Sequence, residues 1–230
     1  MRRDDPDVHG VAEEPPLPAP PRAVIEALAP QVTERRLARI RRVAATRTLA
    51  VVPVLERIAD PHNASAVLRT SDAFGLQQVH VVEHPEGFLA AHRVSRGADR
   101  WLDVVRHPDP ETCVQALHAR GYEVLVAAAE GELSPQDLAR RPRVAVVLGH
   151  ERDGASDAMH TAADGAVAVP MHGFVESLNV SVAAGVLLYE ACRGRPGDLD
   201  EDAREMLVAR FLFNSVKDAE HRVRERTQVP

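Results

Sequence analysis

Three short polar clusters stand at the ends of apolar runs in the chain. Asn63 and Arg69 lie in the first, Gly149 and Glu151 in the second, and Ser177, Asn179 and Ser181 in the third. Together they offer a guanidinium, a carboxylate, carboxamides and hydroxyls, a set able to grip and orient a polar ligand. Each cluster ends an apolar strand-like run or opens a helix-like one, and ligands of open parallel sheets gather at such strand ends. Gly149 follows the buried-looking run 144–148 directly and allows close backbone approach. A purely structural role stands beside each functional one. Asn63, Ser177 and Asn179 are natural helix caps, with Asn63 expected to open a helix over 63–74. Arg69 falls inside that helix with no obvious acidic partner one turn away.

Other chemistries fail on their own terms. No G-x-G-x-x-G occurs. The stretch 149–156 has the glycine spacing of a phosphate loop, but it lacks the lysine and carries Glu151 and Asp153 where phosphate would lie. His80-Val81-Val82-Glu83-His84 matches an inverted zinc-protease pattern that needs a helix to unite its histidines. Here the segment reads as a strand, which would hold them about 13 Å apart. No metal is expected.

The elements that must position these residues follow from period and length. Apolar runs at 49–56, 78–83, 122–128, 143–148 and 166–169 read as strands. Helical patterns lie between them at 63–74, 110–120, 134–140 and 155–163, with a strong later helix at 179–193. Such alternation predicts an α/β fold, a mostly parallel sheet with helices on both faces. Ser181, Ala183, Ala184 and Gly185 would let the 179–193 helix pack closely. Four segments are expected: a Pro-rich leader over 1–21, disordered or extended; an Arg-rich helical extension over 22–47; a main domain over 48–195; and a charged amphipathic helix over 196–230.

The chain has 230 residues, 45% hydrophobic and only 3% aromatic, so its core is aliphatic. A net charge of −6 weighs against nucleic acid, although an acidic protein can carry a basic patch. Lys217 is the sole lysine, so basic charge is almost all arginine, the better bidentate partner for phosphate. Arg35, Arg36, Arg39, Arg41 and Arg42 crowd a predicted helix at 33–46 against one acid, Glu34. That face is either solvated or turned to phosphate, and the imbalance favours phosphate. Cys113 and Cys192 form no framework, no span suits a membrane, and the N-terminus lacks a signal's apolar core, so a cytoplasmic protein with reduced thiols is expected.

The three clusters, in order and spacing, resemble the three motifs of the SpoU family of SPOUT RNA 2′-O-ribose methyltransferases. Asn63 and Arg69 match the first, Gly149 and Glu151 the second, and Pro170, Ser177, Leu178, Asn179 and Ser181 the third. The likeness runs from about 33 to 195 and is strongest to the tRNA guanosine-18 2′-O-methyltransferases. It implies a deep C-terminal trefoil knot, with loops near 127–131, 148–154 and 169–179 holding S-adenosyl-L-methionine (SAM) against Ala127, Gly149, Val169 and Leu178. It also implies a homodimer with a site across the interface, and tRNA (or rRNA) held by Arg35, Arg36, Arg39, Arg42 and Arg96. Catalysis would rest on Arg69, with Asn63, Glu151, Ser177 and Asn179 orienting it, the ribose and the loops.

A guanidinium is effectively always protonated. Arg69 is therefore either a base perturbed by phosphate and dryness or a stabiliser of the developing alkoxide; the second agrees better with its charge. The stretch Arg96–Trp101 departs from the glycine- and serine-rich stretch of these relatives. Residues 1–32 are too short for the separate RNA-binding domain common in rRNA enzymes, which favours tRNA. A catalytically inactive RNA-binding or assembly factor of the same fold is the other reading, and the intact Asn63, Arg69, Glu151 and Asn179 oppose it.

Overall fold

A computed structural model describes residues 16–82 and 99–227. The leader through residue 15, Glu83, His84 and Arg96 lie outside the described residues. In chain order the helices are α1 (Pro21–Leu28), α2 (Glu34–Thr46), α3 (Pro61–Ala73), α4 (Pro110–Ala119), α5 (Asp157–Ala162), α6 (Val180–Cys192), α7 (Glu201–Phe213) and α8 (Ala219–Thr227). The strands are β1 (Val51–Glu56), β2 (Gln78–Val82), β3 (Asp103–His107), β4 (Glu123–Ala128), β5 (Val144–Leu148) and β6 (Gly165–Ala168). The described residues divide into two compact units, one within 50–195 and the other from 16–49 with 196–227.

In the first unit the strands form one sheet in the order β3-β2-β1-β5-β4-β6, every neighbour parallel. β1 and β5 pair from Val51↔Val144 to Leu55↔Leu148, and the strand order reverses there, which opens a crevice at their carboxyl ends. The two-residue side-chain period splits the strands between two cores. Val51, Leu55, Val144, Val146 and Leu148 pack with Val67, Leu68, Leu187 and Leu188 of α3 and α6. Val52, Val54, Ala145 and Val147 pack with Cys113, Leu117 and Met159 of α4 and α5. Burial on both faces explains the nearly continuous apolar runs of β1 and β5.

Three expectations need correction. β3 was absent from the expected strands because Asp103, Arg106 and His107 break its apolar pattern, which a sheet-edge strand tolerates. The 134–140 segment is a 3-10 helix, Pro135–Arg140, fixed by a Ser134–Asp137 capping box. The tail is two helices, divided near Asp218, whose φ of 55° is left-handed.

In the second unit α1 packs against α7 and α8, and α2 against α7. Leu28, Ile40, Leu212 and Val223 are among its buried residues. Asp198 ties the two chain segments together, accepting from Thr48 Oγ1 at 2.9 Å and the Leu49 N–H at 2.8 Å. The buried Arg47 guanidinium lies 5.6 Å from the Phe211 ring centroid. Arg35, Arg39 and Arg42 form an exposed stripe on α2. Arg36 instead donates to Ser215 Oγ at 3.1 Å, so part of its cationic head serves packing within the unit.

Candidate active site

The site begins where β1 ends. Arg57 takes a left-handed φ of 56°, and the chain turns so that the N–H groups of Ala59 and Asp60 meet the Glu151 carboxylate at 3.0 and 3.1 Å. Asp60 then caps α3 by accepting from the His62 N–H at 2.8 Å, and Pro61 fills the first helical position. Asn63 was expected to be the cap. Asp60 takes that task, so the Asn63 carboxamide is free for tertiary contacts. Its Nδ2 donates to Glu151 Oε1 at 2.9 Å, and its Oδ1 accepts from Asn179 Nδ2 at 3.1 Å.

Asn179 completes the chain of bonds. As expected it caps a helix, α6, its Oδ1 accepting from the Ser181 N–H at 2.9 Å and the Ser181 hydroxyl at 2.6 Å. The three sequence clusters thus converge in one connected network, Glu151–Asn63–Asn179–Ser181. Burial pushes the Glu151 carboxyl up. The Asn63 amide and the backbone N–H groups of Ala59 and Asp60 outweigh it and hold the group below the usual carboxylate range.

Beside this network, at the carboxyl ends of β4, β5 and β6, lies a cavity of about 340 Å³. Ala127, Leu148, Val167, Val169 and Leu178 make its apolar walls, and Gly149, Glu151 and Ser177 border it. Glu151, Asp153 and Glu176 add carboxylates to the lining, with Arg152 and His160. The loop after β5 is held shut by paired 2.9 Å backbone bonds between His150 and Gly154. Gly149 must be glycine, because a Cβ there would fall on the backbone of Gly154 and Ala155.

Sequence reasoning missed the anchor of this loop. Glu56, the buried last residue of β1, accepts from the Ser156 N–H at 2.9 Å and from the Ser156 hydroxyl at 2.5 Å. Ser156 Oγ in turn accepts from Met159 N at 3.2 Å as the cap of α5. The available signal was a lone acid ending an apolar strand.

Arg69 is not brought into the network. It is exposed on α3, outside the cavity lining, and its side chain makes no ion pair or hydrogen bond among the described residues. α3 packs against α6, whose Val182, Val186 and Tyr189 form an exposed apolar stripe continued by Phe174 and Val175 before the helix. Elsewhere, His80 of β2 and His107 of β3 stack with their rings 5.1 Å apart beside Cys113 of α4. Burial pushes His80 down to about 3 and Cys113 up to about 12. The rejected His80–His84 motif therefore does contribute a histidine to a potential ligand group, through tertiary rather than helical neighbours.

The profile of the SpoU rRNA Methylase family matches residues 50–189. The chain is 38% identical over 164 residues to a tRNA (guanosine(18)-2′-O)-methyltransferase of Thermus thermophilus, covering 71% of this chain and 84% of that protein. It is similar to the crystal structure of the A. aeolicus TrmH/SpoU tRNA modifying enzyme, with a TM-score of 0.71 and 28% identity over 80% of this chain and 98% of that one. It is also similar to the SpoU methyltransferase AviRb of Streptomyces viridochromogenes, solved with the cofactor AdoMet. There the TM-score is 0.56 and the identity 29%, over 64% of this chain and 58% of that one.

Proposed function

The chain belongs to the SpoU rRNA methylase family, and on that premise we propose that it transfers a methyl group from SAM to a ribose 2′-hydroxyl of RNA, guanosine 18 of tRNA. The observation that carries this reading is the network uniting Asn63, Glu151 and Asn179 beside a cavity at the strand ends.

The cavity suits SAM in size and chemistry. About 300–1,000 Å³ is usual for small-ligand pockets. Ala127, Leu148, Val169 and Leu178 offer apolar walls for an adenine, and Gly149 brings bare backbone to the edge. Glu151, Asp153 and Glu176 place negative charge where the donor's cationic groups would be held. SAM supplies an already activated methyl on a sulfonium, so the protein's task is position and charge. Asn63 and Asn179 hold the Glu151 carboxylate and the α6 N-terminus in fixed relation, and Ser177 closes the rim. As the family likeness implies, the loops after β4, β5 and β6 belong to a deep trefoil knot.

Arg69 stabilises the developing 2′-alkoxide electrostatically. Its side chain's lack of a partner among the described residues agrees with action in a homodimer, where it completes a site with a second copy. The exposed Val182, Val186 and Tyr189 stripe on the adjoining helix is the surface for that copy. Arg35, Arg39 and Arg42, with Arg96, hold tRNA phosphates. No helix among the described residues is long and apolar enough to cross a membrane, and a cytoplasmic site of action fits the RNA substrate.

The test is incubation with labelled SAM and total tRNA or rRNA, followed by mapping of the methylated nucleotide. Methyl on guanosine 18 of tRNA is expected. Methyl on rRNA alone overturns the tRNA assignment in favour of the ribosomal reading. Absence of SAM binding by calorimetry would identify an inactive RNA-binding member.

A further inference from the structure

We infer that His80, His107 and Cys113 form a closed site for one soft monovalent cation, Cu⁺, on the α4 side of the sheet. The parallel register pairs His80 with Val105 and Val82 with His107, so the two histidines share a face, one step apart on neighbouring strands. Cys113, on α4, packs against that face. One potential ligand atom from each residue lies within 4.8 Å of the other two. Exposure of the three is 1%, 2% and 0%, so none is a surface group.

The histidine pair cannot satisfy itself. His80 Nδ1 and His107 Nε2 share a single proton across 2.8 Å. His80 Nε2 and His107 Nδ1 have no hydrogen-bond partner. Two neutral imidazoles carry two N–H groups and two lone pairs, and their mutual bond uses one of each. That leaves one N–H and one lone pair unmet, and a cation is received by replacing the mutual bond: it takes the facing His80 Nδ1 and His107 Nε2 lone pairs while the shared proton moves to the outer ring nitrogen that lacks one.

Charge and coordination number select the ion. Two imidazoles and a thiolate carry one negative charge, so Cu⁺ makes a neutral assembly in the core. Zn²⁺ prefers a fourth ligand. Among the described residues no fourth histidine, cysteine or carboxylate joins the group, and burial leaves little access for water. Thiolate is also the ligand type that selects Cu⁺. Binding forms one S–Cu and two N–Cu bonds, breaks the His80–His107 hydrogen bond with its proton moving to the outer nitrogen of the same ring, sends the Cys113 thiol proton to water and changes no oxidation state.

The experiment uses the full chain, reduced and free of oxygen, competing for Cu⁺ against a coloured bathocuproine-type chelator. One Cu⁺ per chain should be withdrawn from the chelator, and X-ray absorption at copper should show one sulfur and two imidazole nitrogens. Cys113→Ser should weaken the binding at least tenfold, while Cys192→Ser should leave it unchanged. Circular dichroism reports whether each variant is folded. Failure to withdraw Cu⁺, undiminished binding by folded Cys113→Ser, or loss of binding in Cys192→Ser overturns the site. Should Cys113→Ser not fold, the wild-type absorption spectrum decides alone: a shell without sulfur, or without imidazole, overturns it.

Discussion

Glu151 and Asn63, 88 residues apart in sequence, meet at 2.9 Å with the Asn63 amide donating to the carboxylate. The orientation is fixed from both sides, because Asn63 Oδ1 simultaneously accepts from Asn179. Turning the Asn63 carboxamide over would therefore break two bonds. Asn63→Asp removes the donor and sets a second carboxylate against Glu151. We expect a loss of about 1–2 kcal/mol in stability, limited by the partial exposure of the pair. A thermal melt should fall by a few degrees, and methyl transfer should fall more steeply than SAM binding. A melt and rate both equal to wild type would remove the network from the site.

The same carboxylate sets an acid dependence. Glu151 is held below its ordinary value, about 4.3 for a free glutamate. A group lowered on folding contributes its full stability above the unfolded value, and loses it as pH falls through the folded one. Glu151→Gln should thus be less stable than wild type near pH 7, and the gap should close in acid, as the pH falls below the ordinary glutamate range. Urea unfolding under both conditions measures it; a gap that persists in acid would mean the charge is not what Asn63 and the backbone N–H groups recognise.

Glu56 and Ser156 should govern the donor pocket without touching a substrate. Ser156→Ala removes the α5 cap and a donor to the buried Glu56 carboxylate, for a cost of about 1–2 kcal/mol. With the loop after β5 loosened, SAM affinity should weaken several-fold while single-turnover rate at saturating SAM changes little. Ser156→Thr, which keeps the hydroxyl, should restore part of the affinity. If rate falls at saturating SAM and affinity does not, Ser156 has a different role.

Gly149→Ala has no room for its methyl against Gly154 and Ala155. The His150–Gly154 pairing should open and SAM binding should be lost to calorimetry, while the sheet, buried elsewhere, keeps its circular dichroism. Wild-type affinity in this variant would show that the loop is not part of the donor pocket.

Arg69→Lys keeps a positive charge but loses the planar fork of donors. SAM binding and tRNA binding should persist, and single-turnover methylation should fall about a hundredfold. A rate near wild type would dismiss Arg69. In parallel, Val186→Glu places a charge in the exposed apolar stripe of α6, and light scattering should then report a monomer where the proposed assembly makes wild type a dimer; a monomeric wild type would remove that assembly.

Much of this was written in the sequence, because its signals are local. The β1 and β5 runs are apolar at nearly every position since both their faces are covered, so they could be read without knowing their neighbours. The three polar clusters could be located because strands and helices end at caps and glycines, which have their own residue preferences. What could not be read was who meets whom. Asp60 rather than Asn63 caps α3, and only that displacement frees Asn63 to bridge Glu151 and Asn179. β3 was hidden because an edge strand need not be apolar, and with it the company that His80 keeps. Arg36 and Arg39 read alike on a helical wheel; Ser215, from the far end of the chain, distinguishes them. Sequence by itself determined the periodicity and the chemical types gathered at the strand and helix ends, set by interactions within a few residues. Tertiary structure alone decided the pairings, because a hydrogen bond between Glu151 and Asn63, or between Glu56 and Ser156, exists only after the parallel sheet has brought distant strand ends to one edge.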